Sequence, residues 1–512
     1  MKALHDIRTV SACAIVAVAW MSTIGDAQHT GKVFTPAIPK TWDDDAVARL
    51  EVPLANAAYS PANVSADVYY RLPVRPIYKS YPIYAPGREP DGYFEWLQQQ
   101  EPEVTFNASK LQTESDWIRA GELVFDAPVL YPPFAGQAQR ESDTYARTNV
   151  PLTRDGVMPF QRFVIRKKGV VEVGDGSCGQ CHTRVMADGT VVKGAQGNFP
   201  GAQVVALGLR RRVAQSVDHG AELLAVRGGV QQRVNYGAPW IDPDPADDLL
   251  GSMDELIGSL EAIPAGVNPR GGASRRYPPQ VPDIIGVQDR RYLDHTGLIR
   301  QRSIADLMRY AAVNQGAQYL ARYGDFTPAE HLPPGTPIVD SRYSDEQLYA
   351  LALYLYSLKA PLNPNRVDAL AERGQQVFGR SGCATCHTPP LYTNNKLTPA
   401  EGFSIPSQDL HNDDVLLQSV GTDPGLALRT RRGTGYYKVP SLKGVWYRGP
   451  FEHNGSVATL EDWFDLARLR DDYVPTGFRG YGVTTRAVKG HPFGLDLSPD
   501  DRRALIAFLK TL

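Results

Sequence analysis

The stretch "GCATCHTPPL", residues 382–391, carries two cysteines two positions apart with a histidine directly after the second. "SCGQCHTRVM", 177–186, repeats the arrangement. The chain has five cysteines; the fifth, Cys13, lies in the apolar run "VSACAIVAVAWM" near the N-terminus. That run follows Lys2 and Arg8 and precedes "GDAQ", where Gly25 and Ala27 suit a signal-peptidase cut after Ala27. Residues 1–27 are therefore read as a signal peptide, too short in its apolar part to span a bilayer, which takes about 20 residues. Every cysteine left after its removal belongs to one of the two motifs.

Thiols in an exported protein commonly pair as disulfides, and a C-x-x-C pair can be a redox centre. Neither use needs the histidine. Two such pairs could also build a four-thiolate zinc site, which again leaves both histidines unexplained. A covalent c-type haem uses all three residues: two thioethers to the porphyrin and the adjacent imidazole beneath the iron. Cys178, Cys181 and His182 are thus assigned to haem 1, and Cys383, Cys386 and His387 to haem 2.

With 42% hydrophobic and 21% charged residues among 512, the composition is that of a globular chain with room for two or three domains. A net charge of −2 without a long basic run gives no electrostatic basis for nucleic-acid binding. A mature protein without a membrane span, periplasmic or secreted, is expected.

The duplication extends beyond the motif. "VPDIIGVQDRRYLDHTG" from Val281 and "VPSLKGVWYRGPFEHNG" from Val439 align without a gap, matching Val, Pro, Gly, Val, Arg, His and Gly, so that His295 corresponds to His453. "SDEQLYALALYLYSLK" from Ser344 and "SPDDRRALIAFLKTL" from Ser498 both read as serine-capped amphipathic helices, with Leu351, Tyr354, Leu355 and Leu358 matching Leu505, Phe508, Leu509 and Leu512. "GELVF" at 121–125 resembles "GQQVF" at 374–378. The expected architecture is all-α: a Pro- and Tyr-rich N-terminal extension, 28–110; a first cytochrome c-type domain with insertions, 111–360; and a second, 366–512, joined through "KAPLNPNRVD".

The run "VGTDPGLALRTRRGTGYYKVPSLKGVWYRGPFEHNGSVATLEDWF", 420–464, resembles the C-terminal module of the di-haem cytochrome c peroxidase superfamily, which includes bacterial peroxidases, the cytochromes that mature a tryptophan-derived quinone, and rubber oxygenases. The resemblance implies two facing cytochrome c domains, with haem 2 exchanging electrons with haem 1, where oxidant is activated.

Distal ligands decide which haem does chemistry, because an iron with both axial positions filled by protein has no site for oxidant. The last methionine is Met308, so the methionine that peroxidases of this family place over haem 2 has no local counterpart. His491 in "GHPFGLDLS" resembles the second histidine of rubber oxygenases, and His453 is its rival. Over haem 1, the loop "VKGAQGNFPG", 191–200, lacks the distal histidine of the peroxidases, and the next, His219, reads as a helix-face residue. Haem 1 is accordingly expected to be five-coordinate and catalytic, its distal pocket drawn from Phe199, Trp240 and His295.

The rubber-oxygenase-like branch is the nearest in these features. The leading function is activation of dioxygen or peroxide, with a hydrophobic substrate or a small electron-transfer protein as partner. A hydrogen-peroxide-reducing peroxidase and a pure electron carrier are the alternatives. The resemblance also admits a calcium ion between the domains, near "GTDPG" at 421–425, although no dense carboxylate cluster marks it.

Overall fold

A computed structural model describes residues 34–512 apart from 58–59, 132–142, 216–251, 269–274, 326, 328–329 and 331–339. The expected signal peptide, Trp240 and His219 lie outside the described residues.

Two helix pairs frame the molecule. Helix α1 (Glu114–Asp126) packs on α2 (Asp345–Ser357), and α3 (Ala369–Arg380) packs on α4 (Pro499–Lys510). Ser344 and Ser498 cap α2 and α4 by accepting hydrogen bonds from the backbone N–H groups of Gln347 and Asp501, satisfying donors that have no partner within the helix.

Each crossing is closed by a glycine. A Cβ on Gly121 would fall 2.0 Å from the Ala350 carbonyl oxygen and 2.7 Å from Tyr354 Cβ. A Cβ on Gly374 would fall 1.9 Å from the Ala504 carbonyl oxygen and 2.7 Å from Phe508 Cβ. Tyr354 and Phe508 are the positions paired by the sequence repeat, so both crossings use the same contact. Phe125 then packs against Tyr354 and Phe378 against Phe508, with ring centres 5.3 and 5.4 Å apart.

The all-α expectation is overturned. Among the described residues 34% are helical and 13% are in strands or bridges, with several small antiparallel sheets. The largest has three strands in the order β1-β2-β3, formed by β1 (Ser80–Tyr84), β2 (Val157–Lys167) and β3 (Val170–Gly174). Its sequence, "VMPFQRFVIRKKGVVEVG", is rich in β-branched and aromatic residues, with Gly169 at φ +81° in the turn between β2 and β3. This is a hairpin signature. It sits in the insertion between Phe125 and Cys178, where the haem motif alone was taken to set the fold class.

The N-terminal segment is not merely laid over the surface. Trp42 stacks on Tyr69 at 4.5 Å and shares one buried cluster with Val124, Leu348 and Leu351. Farther on, Val52 packs with Leu397 and Tyr436, and Glu51 pairs with the buried Arg431. One segment therefore contacts both halves of the duplicated chain.

Candidate haem sites

Ser177 caps the single turn Cys178–Cys181, and Gly382, in a left-handed conformation at φ +73°, leads into the turn Cys383–Thr385. None of the four motif cysteines is in a disulfide. Among the described residues, no group of three or more His, Cys, Asp or Glu side chains is gathered for a metal ion, so the four-thiolate zinc alternative lacks its geometry.

The histidines that follow are oriented alike. His182 Nδ1 lies 3.0 Å from the Pro282 carbonyl oxygen, and His387 Nδ1 lies 3.1 Å from that of Pro440 and 3.2 Å from that of Tyr392. Pro282 and Pro440 are equivalent in the Val281 and Val439 repeats, so the duplicated "VP" supplies each imidazole with the same acceptor. A ring that donates from Nδ1 keeps its Nε2 lone pair for a metal.

Facing His387 is His491, with ring centres 6.2 Å apart. Two metal–imidazole bonds of about 2 Å each, plus about 1.1 Å from nitrogen to ring centre on either side, give about 6.2 Å. The spacing therefore fits one iron between the rings. Burial lowers the pKa of His387 and, with the neighbouring His387 and Arg468, brings that of His491 to about 4. Both rings are thus neutral, the form that ligates.

The His491 loop is fixed from several sides. Its ring packs on Trp463 and Phe493 at 5.2 and 5.3 Å, and its N–H donates to the Val420 carbonyl at 2.6 Å. Arg468, only 1% exposed, donates to the carbonyls of Trp463 (2.8 Å), Val488 (2.6 Å), Gly490 (3.0 Å) and His491 (2.9 Å).

His295 and His453 occupy different settings from His491. Each follows an acidic residue with positive φ, Asp294 at +69° and Glu452 at +72°, whose carboxylate accepts the histidine N–H. His295 Nε2 lies 2.6 Å from the Gln280 carbonyl oxygen, and Gln280 N–H donates to the His453 carbonyl at 2.7 Å. The ring of His453 is bound at Nδ1 by Glu452 at 2.6 Å and lies 4.6 Å from the Tyr437 ring. Burial pushes the Glu452 carboxyl up, but His453 and the Thr422 hydroxyl outweigh it and bring the pKa to about 2.

No family profile matches the chain. Cytochrome-c peroxidase IdrP1 of Denitromonas iodatirespirans is 27% identical over 167 residues, 28% of this chain and 41% of that protein. Methylamine utilization protein MauG of Methylorubrum extorquens is 29% identical over 147 residues, 28% of this chain and 35% of that protein. These relatives are a cytochrome c peroxidase and MauG, in keeping with the resemblance read from residues 420–464. The chain spans about two fifths of the length of these curated relatives or less. Among solved structures, hydrazine synthase of Kuenenia stuttgartiensis matches 60% of this chain and 92% of its own at 15% identity with a TM-score of 0.28. A MauG-like protein associated with microbial copper homeostasis matches 56% and 88% at 16% identity with a TM-score of 0.26. Neither superposition is close enough to bear on the fold.

The other sequence-derived site residues are distributed unevenly. Phe199 stacks on Phe160 of the sheet at 5.1 Å and, itself half-buried, packs against that sheet's buried cluster. Its loop is pinned along the first motif: Gly194 N–H donates to the His182 carbonyl at 2.7 Å, and a Cβ on Gly197 would fall 2.0 Å from the Cys181 carbonyl oxygen. Near "GTDPG", Asp423 accepts from the Gly425 N–H, and Thr422 donates to Glu452. Each of these carboxylates accepts from the protein's own donors, and among the described residues no group of three or more His, Cys, Asp or Glu side chains is gathered there.

Sequence reasoning passed over Arg468, and also Gln196, whose amide joins the halves by accepting from the Gly449 N–H at 3.1 Å and the Gln280 side chain at 2.8 Å and donating to the Pro450 carbonyl at 3.0 Å. Gln196 lies inside the very loop searched for a histidine, and its burial arises only when the second module is folded against it.

Proposed function

We propose that this chain is an exported haem-dependent oxidoreductase with two covalent c-type haems, in which haem 2 is held by His387 and His491 and handles electrons while haem 1, held by His182, meets the oxidant. Haem supplies reversible one-electron chemistry and, at an open axial position, a place for peroxide or dioxygen. The observation that supports the reading is the 6.2 Å pairing of the His387 and His491 imidazoles: rings so placed would hold one haem between them and leave substrate chemistry to the other motif.

Peroxide is the oxidant favoured by the peroxidases among the relatives. The oxygenase alternative, on a hydrophobic substrate, rests on the missing histidine in 191–200 and the missing methionine after Met308. Purified holoprotein should show one low-spin and one high-spin haem by EPR. Turnover of hydrogen peroxide with a reduced small cytochrome, compared with oxygen uptake on a polyisoprene emulsion, then selects the reaction. Two low-spin haems that stay six-coordinate on reduction would reduce the chain to an electron carrier. In His491→Ala, haem 2 should lose its low-spin signal; a spectrum equal to wild type would remove His491 from the ligand set.

A further inference from the structure

A cavity of about 250 Å³ lies in the second half of the chain, far larger than the roughly 10–15 Å³ that one water needs. Four stretches of chain meet in its wall and bring to it the carboxylates of Glu401, Asp423 and Glu452 and the cations of Arg486 and Lys489. None of these is a motif cysteine or a haem-facing histidine, although Val488 and Lys489 lead into His491.

Three of the five charges are already served. Glu452 accepts from the Thr422 hydroxyl at 2.5 Å and from the backbone and ring nitrogens of His453 at 2.8 and 2.6 Å. Glu401 and Lys489 are exposed to solvent, the lysine with Asp471 at 3.7 Å. Arg486 and Asp423 differ, because each is anchored on one side only. Arg486 donates from Nη2 to the Ser456 hydroxyl at 2.8 Å and the Phe478 carbonyl at 3.1 Å, with its guanidinium 5.7 Å from the Phe478 ring. Its Nε and Nη1 bond to nothing among the described residues. Asp423 accepts the Gly425 N–H through Oδ1 at 2.8 Å, and its Oδ2 is unused there.

The two groups feel each other, since Asp423 and Glu452 oppose the lowering of the Arg486 pKa by burial. Yet among the described residues no ion pair joins Arg486 to either carboxylate. A guanidinium and a carboxylate fixed apart in the wall of one cavity form a receptor with two ends, each held before a ligand arrives. A simple anion would meet three carboxylates there, and a simple cation would meet the guanidinium. A molecule with a carboxylate at one end and a protonated amine at the other satisfies both. We propose that this cavity binds a small amino acid zwitterion, its carboxylate on Arg486 and its ammonium on Asp423.

The test is calorimetric titration of the full-length holoprotein. Glycine and 4-aminobutyrate, a short and a long zwitterion, are the probes, and acetate and methylammonium supply each end alone. At least one zwitterion should bind saturably, one per chain, with both single-ended probes at least about tenfold weaker, the scale of one hydrogen bond to a charged group. Arg486→Gln and Asp423→Asn should each weaken the zwitterion by at least about tenfold, with thermal melting reporting that each variant is folded. No saturable binding of either zwitterion by wild type would overturn the proposal, as would an affinity unchanged in either folded variant. Acetate binding as tightly as the zwitterions would overturn it in favour of a plain anion site, and methylammonium doing so in favour of a plain cation site. Should Arg486→Gln fail to fold, Asp423→Asn decides on the same criterion. Heat is read rather than turnover, so the outcome is independent of which oxidant haem 1 takes.

Discussion

Replacing Arg468 with Met tests how the His491 loop is held. The guanidinium is almost fully buried, lies 5.3 Å from the Trp463 ring, and spends four donor contacts of 2.6–3.0 Å on four backbone carbonyls. Burial lowers its pKa, opposed by Glu452 and Tyr473. A buried acceptor stripped of its donor costs about 1–3 kcal/mol, so four would cost about 4–12 kcal/mol if each were lost independently. Two effects reduce that sum: methionine releases the expense of burying a charge, and the loop can relax to share donors or admit water. A loss of about 3–5 kcal/mol is expected, which for a unit of 150–250 residues lowers the melting midpoint by roughly 6–20 °C. Because three of the four carbonyls belong to residues 488–491, the haem 2 spectrum should broaden or turn partly high-spin below that midpoint. Arg468→Lys, which keeps the charge and part of the bonding, should fall between. A melting midpoint within 2 °C of wild type together with an unaltered haem 2 signal would refute the view that Arg468 positions His491.

Gly121→Ala and Gly374→Ala should each destabilise by about 2–3 kcal/mol in urea titrations, since a Cβ at 2.0 or 1.9 Å from a carbonyl oxygen forces the helices apart while the gain in helix propensity returns only about 1 kcal/mol. Gly379→Ala, in the same helix α3 but with nothing within 4 Å of its Cβ, should be neutral or stabilising by up to about 1 kcal/mol; equal losses at all three positions would discredit the packing argument. Glu452 has a folded pKa of about 2 against an ordinary 4.5, so it stabilises fully above pH 4.5 and ceases to do so as pH falls towards 2. Glu452→Gln should therefore flatten the acid limb of a stability profile between those values, by on the order of 3 kcal/mol, and an acid limb identical to wild type would contradict the ion pair with His453.

What the sequence disclosed about this molecule was whatever depends on short, fixed spacing. A haem anchor needs two thiols and an imidazole on one turn, a close helix crossing needs a glycine opposite a carbonyl, and the acid–His pair needs a positive-φ residue before a reachable N–H. Each of these is local, so the repeat carries it in register, and Pro282 and Pro440, Gly121 and Gly374, and Asp294 and Glu452 could be paired before any coordinates. The three-stranded sheet was equally local in its signal, and was missed because the two haem motifs were allowed to speak for the whole chain; Ser80–Tyr84, which completes it, lies 73 residues before its partner strand begins. Arg468 and Gln196 were illegible for a different reason. A polar or charged side chain in isolation reads as solvated, because its burial is decided by chain brought from elsewhere: residues 488–491 for Arg468 and the segment 449–450 for Gln196. His491 stands between these cases. Its identity as a candidate followed from the missing methionine, but its choice over His453 depended on a distance, because Glu452 and Tyr437 claim the ring of His453 and leave the imidazole at 491 opposite His387.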